Sequence, residues 1–147
     1  MTWYAAKGEP RWDAEELWTT MGHLYKGGIW FKKKSVLQAE GNYNSNTAVD
    51  GIDWRTNSRS DGWSISYTLP SAADANNYFY LPALGFYTSG ILKFLGSRGS
   101  YWSSSAFPDS PGSSSFAYYL EFNNGLHLAG VHGYPRNYGL RVEPTFE

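Results

Sequence analysis

Between Tyr118 and Asn123 the chain alternates: Tyr118, Leu120 and Phe122 fall on one side of an extended backbone, Tyr119, Glu121 and Asn123 on the other. A strand has a side-chain period of two, so one set can face a core while the other faces away from it. No other feature constrains the fold as much, because a helix would mix the two sets on every face. The surrounding stretch, Gly99 to Pro144, lays a frame of spaced Trp, Tyr, Leu, Phe, Arg and Gly over a filling of Ser, Asn, Tyr, His and Gly. That filling follows no structural period and has the chemistry of a contact surface. Tyrosine gives large contact area while freezing few rotors, and Ser, Gly and Asn give adaptable hydrogen bonds. The same residues also fill ordinary turn-rich sheets; the period-two separation of frame from filling favours a binding face.

A chain of 147 residues reads as one domain, 1–147, large enough to bury a core without staples. Twelve Tyr, eight Phe, seven Trp and sixteen Gly point to strands and turns rather than helices. The net charge of −1 gives no electrostatic footprint for nucleic acid or an anionic membrane. With no cysteine there is no disulfide framework, thiol nucleophile or thiolate metal site. No apolar run approaches the roughly 20 residues of a membrane helix. Met1-Thr2-Trp3-Tyr4 is no signal peptide. The chain therefore either stays soluble or is the C-terminal part of a longer, exported protein.

In order, Thr2 to Ala6 is expected to be an edge strand. Asp13 with Glu16 forms a capping box ahead of Leu17, Trp18, Met21, Leu24 and Tyr25, which predicts an amphipathic helix stopped by Gly27-Gly28. The run Lys32-Lys33-Lys34 is expected at a solvated strand end or as an edge guard. From Glu40 to Gly62 the sequence is polar and irregular, a long loop packed by Tyr43, Ile52 and Trp54. The spacing of Asp50, Asp53 and Asp61 matches no EF-hand loop, which leaves turn formation as their expected role. Trp63, Ile65, Tyr67 and Leu69 alternate as a strand, and Ser71 with Asp74 signals a second, short helix. Tyr78 to Phe86 is strand-like, and Thr88-Ser89-Gly90 turns the chain into a hairpin with Ile91 to Leu95.

Leu69-Pro70-Ser71, Tyr80-Leu81-Pro82-Ala83-Leu84-Gly85, and Gly99 with Tyr101-Trp102-Ser103-Ser104-Ser105 form a pattern that continues through Ala117-Tyr118, Leu120, Phe122, Arg136, Gly139 and Val142. Together, over residues 63 to 144, these resemble the major paralogous domain of gut-bacterial surface proteins. They also resemble the variable proteins of diversity-generating retroelements, which include phage tail receptor-binding proteins. The resemblance implies an α+β, C-type lectin-like fold: a small, mostly antiparallel sheet, two helices, long irregular loops and neighbouring termini. It also implies ligand binding by the last strands, in a variable region of about residues 100 to 140, where adenine-directed mutagenesis scatters substitutions. Such change from an Asn codon cannot reach Lys, Gln, Glu, Met or Trp. Between Ser100 and Leu140 there is no Lys, Gln or Met, and Trp102 belongs to the frame. Glu121 alone departs, so it either comes from another codon or is not a variable position.

Carried over, the frame is Tyr101, Trp102, Tyr118, Leu120, Phe122, Leu126, Arg136, Gly139 and Val142. The presented, ligand-binding positions are Ser100, Phe107, Tyr119, Glu121, Asn123, Asn124, His127, Val131, His132, Tyr134, Asn137, Tyr138 and Leu140. Arg136 is expected to hold loop carbonyls or Glu143; Trp63 and Trp102 are expected in the core rather than as sugar-stacking platforms.

The expected activity is non-enzymatic. There is no G-x-S-x-G elbow, phosphate-cradling glycine loop or H-E-x-x-H motif. Formylglycine-generating enzymes of similar fold depend on cysteines that are absent here. His127 and His132 have no third ligand at metal spacing, so no metal or other cofactor is expected. The Glu-Pro-Asn or Gln-Pro-Asp and Trp-Asn-Asp signatures of calcium-dependent sugar binding are missing. The implied partner is a protein or glycan receptor on a cell surface, met at a virion tail or bacterial cell surface, with homo-oligomer formation open. The alternative is a structural subunit of a surface appendage or phage tail.

Overall fold

Met21 (φ 50°) and Gly22 (φ 76°) both sit in the left-handed region and join two long strands through a two-residue turn. Two consecutive positive φ values match the right-handed twist of the flanking strands, which is why such turns close hairpins. In the computed structural model, which describes residues 1–108 and 115–142, this turn connects β1 (Arg11–Thr20) to β2 (His23–Lys32). The helix predicted over Asp13 to Tyr25 is therefore a hairpin. Asp13 does cap, but its Oδ1 accepts the N–H groups of Glu15 and Glu16 (3.0 Å each) within a bulge between Asp13 and Leu17. The apolar face expected of the helix is mostly solvated: Leu17, Met21 and Leu24 are exposed.

The other elements are short. The expected N-terminal strand is a helix, α1 (Thr2–Lys7), and α2 (Lys34–Ala39) follows β2 directly. Lys32 thus ends a strand and Lys34 starts a helix, and β2 lies between β1 and β4, so the lysine run guards no edge. Residues 40 to 60 hold no helix or strand; Trp54 is buried in them, and Asp50 and Asp53 cap local turns. The strand expected from Trp63 to Leu69 is only β3 (Asp61–Ser64), with Tyr67 and Leu69 exposed. Ser71 and Asp74 do bond to each other (Oγ to Oδ2, 2.6 Å), yet only one 3-10 turn, Ala75–Asn77, follows. Next come β4 (Tyr78–Pro82) and the hairpin of β5 (Phe86–Thr88) with β6 (Ile91–Lys93), as expected from Thr88-Ser89-Gly90. Last are β7 (Arg98–Ala106), β8 (Phe116–Asn123) and β9 (Leu128–Pro135).

The strands form sheets ordered β1-β2-β4, β3-β9-β8-β7 and β5-β6, with every named strand pair antiparallel. The architecture is α+β: small antiparallel sheets with two short helices, though neither helix stands where the sequence signals put it. The core lies between the first two sheets. Trp12, Ile29, Phe31 and Leu81 meet Tyr101, Leu120, Phe122, Ala129 and Val131, with Ala5 of α1 wholly buried at one side. Phe122 is the hinge of this packing, its ring centroid 6.3 Å from Phe31 and 6.4 Å from Trp12.

Glu9 ties α1 to both long strands. Its carboxylate pairs with Lys32 and with Arg11 Nη2 (2.7 Å) and accepts the Tyr78 hydroxyl (3.0 Å). The Lys32 hydrogen bond foremost, then that of Arg11, lowers the carboxyl from an ordinary 4.5 to about 2, against the opposing effect of burial. A folded-state value below the unfolded one gives stability that is complete above about pH 4.5 and lost as pH falls through about 2. Because the side chain is 45% exposed, solvent screening limits the contribution to about 1 kcal/mol. Glu9→Gln is expected to destabilise the chain by that amount at neutral pH and by much less near pH 2, read as the change in urea midpoint. An equal loss at both pH values would show that the charge is irrelevant.

Candidate functional site

The strand register turns the alternation read in β8 into a surface. Trp102, Tyr119 and His132 lie side by side across β7, β8 and β9, and Tyr134 pairs with Ala117 one step along. These residues face away from the side that carries Leu120 and Phe122. At the free edge of β7 the chain returns: the Trp102 N–H donates to the Arg141 carbonyl (2.9 Å), and Gly139 pairs with Tyr87. That return brings Tyr138 against Tyr134, with ring centroids 4.6 Å apart and the planes inclined at 62°. Tyr119 in turn packs on Trp102 (6.2 Å), His132 (5.9 Å) and Tyr134 (5.4 Å). The His132 ring lies over Gly130, where a Cβ would come within 2.5 Å of its Nε2.

A charge pair sits under these rings. Arg98 Nη2 meets Glu121 Oε2 at 2.7 Å, and the Tyr119 hydroxyl donates to the same oxygen at 2.6 Å. The guanidinium is also stacked over Phe86, 4.7 Å from its centroid, with Phe94 at 5.8 Å. An arginine between a carboxylate and ring faces is held in one geometry. Burial, with help from the Glu121 bond and charge, pushes the Tyr119 phenol far above its ordinary range, so it stays a donor. Burial lowers the His132 imidazole and outweighs the pull of Glu121, which keeps it neutral at pH 7. The result is a fixed floor, Tyr119 with Arg98 and Glu121, and a half-buried rim of Trp102, His132, Tyr134 and Tyr138.

The structure sorts the sequence-predicted ligand positions into groups. His132, Tyr134 and Tyr138 form the rim, and exposed Asn137 and half-buried Leu140 continue it. Asn124 and His127 stand apart, on the turn between β8 and β9, where both bond the Tyr67 hydroxyl (2.9 and 2.6 Å); Asn123 braces that turn through the Leu126 N–H. Tyr119 and Glu121 face the expected side but are covered, Tyr119 to 4% exposure, by the rings and ion pair around them. Ser100, on the same face of β7, is fully buried and presents nothing. Val131 is a correction: its side chain points inward beside Leu120 and belongs to the core. So is Phe107, which packs on Tyr118 (4.8 Å) and over Gly133, against the core.

The frame also needs amending. Leu126 and Val142 are exposed at 63% and 75%, the former because it lies in the β8–β9 turn. Trp102 stands half-buried on the outer face, whereas Trp63 packs against the core as expected. Arg136 holds the Phe116 carbonyl through Nε at 3.0 Å; Glu143, its other expected partner, lies outside the described residues, as do serines 113 and 114. Sequence reading missed Arg98, Phe86, Phe94 and Tyr67. Glu121 was the available signal for Arg98, since a lone carboxylate in a half-buried strand needs a cation on a neighbouring strand.

Chemically, this face offers ring faces, phenol hydroxyls and a neutral imidazole over a charge-compensated floor. Among the described residues no three His, Cys, Asp or Glu side chains gather as metal ligands, and no helix is long and apolar enough to cross a membrane. The chain matches no family model, no curated protein and no solved structure.

Proposed function

We propose that this chain is a non-enzymatic recognition domain of C-type lectin-like type, whose contact surface is the outer face of β7, β8 and β9. One observation carries the reading: tyrosine and histidine side chains form a half-exposed rim over a locked floor, on the opposite side of the strands from the core. A rigid backbone with exchangeable side chains at its surface suits equilibrium binding, because little order is lost on contact. Support for the lectin-like reading comes from Met1 and Val142 lining the same cleft and from the long irregular segment 40 to 60. Retroelement diversification accords with the rim composition. Glu121 and Trp102 lie outside the reach of adenine mutagenesis; Glu121 is bonded into the floor and Trp102 packs on Tyr119, in keeping with positions that do not vary. The partner is a receptor of protein or glycan at a cell surface, met from a virion tail or bacterial surface.

Randomising Tyr134, Asn137, Tyr138 and Leu140 together in a displayed library tests this. Most clones are expected to keep the parent's thermal midpoint within a few degrees, and selection on unrelated immobilised proteins to yield distinct binders. If the clones unfold as readily as a library at Leu120 and Phe122, the face is structural and the reading fails. Sequencing the source locus tests diversification separately: a near-identical repeat differing only at adenines, beside a reverse transcriptase gene, is the expected arrangement.

Exposed Leu17, Leu24, Ile91 and Phe94 on the two hairpins favour a second reading, a structural subunit of an appendage or tail. It predicts that Tyr134 and Tyr138 are covered in the assembled particle, whereas the recognition reading leaves them open.

A further inference from the structure

A concavity lies on the other side of β8. It is a cleft of about 640 Å³ bounded by α1, the 43–55 segment, the middle of β7 and the inner-face residues Tyr118, Leu120 and Val131. That volume is within the roughly 300–1,000 Å³ of small-molecule sites. Trp3 and Tyr43 supply aromatic surface to its walls, and Asn44, Asn46 and Ser104 supply short uncharged groups that both donate and accept. Its charges are largely compensated. Arg55 grips Asp53 through two bonds of 2.8 and 2.9 Å, and Lys34 lies over the Tyr43 ring.

The rim is also built in advance. Asn44 Oδ1 accepts the Asn46 N–H (2.7 Å), Arg55 Nη2 holds the Asn46 carbonyl (3.2 Å), and the Trp3 indole N–H holds the Thr47 carbonyl (2.8 Å). A ligand therefore meets a wall already ordered, which spares the entropy of closing a loop on it. A purely apolar ligand would strip water from the amide and hydroxyl groups without replacing their hydrogen bonds. A polyanion would find no cluster of cations. A polyol ring answers both halves of the wall, with C–H faces for the aromatic rings and hydroxyls for the amides and serines.

We propose that this cleft binds a short neutral saccharide of one or two pyranose units, independently of the outer-face rim. The test is titration of the intact chain with cellobiose, lactose, maltose and N,N′-diacetylchitobiose, following backbone amide shifts by NMR. At least one saccharide is expected to saturate with shifts at residues 43–48 and 103–105. Tyr43→Ala and Asn46→Ala are expected to weaken it about tenfold, while Tyr134→Ala, on the rim, binds it as the parent does. Asn46 is exposed and its observed bonds are made by its own backbone N–H and carbonyl, so N46A keeps the fold even where Y43A does not. The proposal is overturned if none of these saccharides moves those amides, or if the shifts fall on residues 132–138. Unchanged binding by N46A overturns it too. So does anilinonaphthalene sulfonate shifting the cleft amides where no saccharide does, an outcome that assigns the cleft to an apolar ligand.

Discussion

Phe122→Ala is expected to destabilise the domain by about 3–5 kcal/mol, the usual range for deleting a fully buried ring. Phe122 is wholly buried between the two sheets, in ring contact with Trp12, Phe31 and Tyr101 at 5.9–6.4 Å. The void cannot be refilled cheaply, because the aromatic neighbours around it are held by strands of both sheets. Since a domain of this size is stable by about 5–15 kcal/mol, the variant loses a large share of its margin. Urea unfolding followed by tryptophan fluorescence reads the shift, with Asn137→Ala, exposed beyond β9, as a control expected to stay within about 0.5 kcal/mol. A loss below about 1 kcal/mol for Phe122→Ala would mean that the sheets do not pack through this ring.

The second large effect is at the floor of the outer face. Arg98→Met strands the Glu121 carboxylate beneath aromatic rings, and Glu121→Leu strands the guanidinium; their side chains are only 17% and 13% exposed. Each single variant is expected to lose about 2–3 kcal/mol, somewhat less than for a fully buried pair. The double variant removes both charges and keeps apolar volume, so it is expected to recover most of that loss. Strictly additive losses would show that the two charges do not sense one another. The double variant also separates stability from recognition, because it keeps the rim residues while removing the charged lock on Tyr119.

How much was legible in advance depended on the range of the signal. In β8 the alternation identified the inward side chains directly, because a period of two and a buried face leave one solution. The Thr88-Ser89-Gly90 turn was equally local, with Ser89 and Gly90 at positive φ. The stretch from Asp13 to Tyr25 misled because its signals were true in isolation: Asp13 caps backbone N–H groups, and Leu17, Met21 and Leu24 fall at helical spacing. What overrode them was the Met21-Gly22 turn and the pairing of β2 with β4, which a helix could not have offered. Burial on the outer face was not legible at all. Nothing local says that Tyr119 will be covered, since its cover comes from Trp102, His132 and Tyr134 on the neighbouring strands and from the Arg98–Glu121 pair beside its hydroxyl.

The β3–β9 ladder has a consequence in time. Asp61 to Ser64 must find Ala129, Val131 and their neighbours across most of the second half of the chain, whereas β8 meets β9 through a four-residue turn. Closing the longer loop carries the larger entropy, so the nearby pairing nucleates and the distant strand docks late. The surface proposed for recognition is thus assembled while the nascent sheet still lacks its outermost strand. Damage to β3 would accordingly speed unfolding and leave the rate of collapse almost untouched.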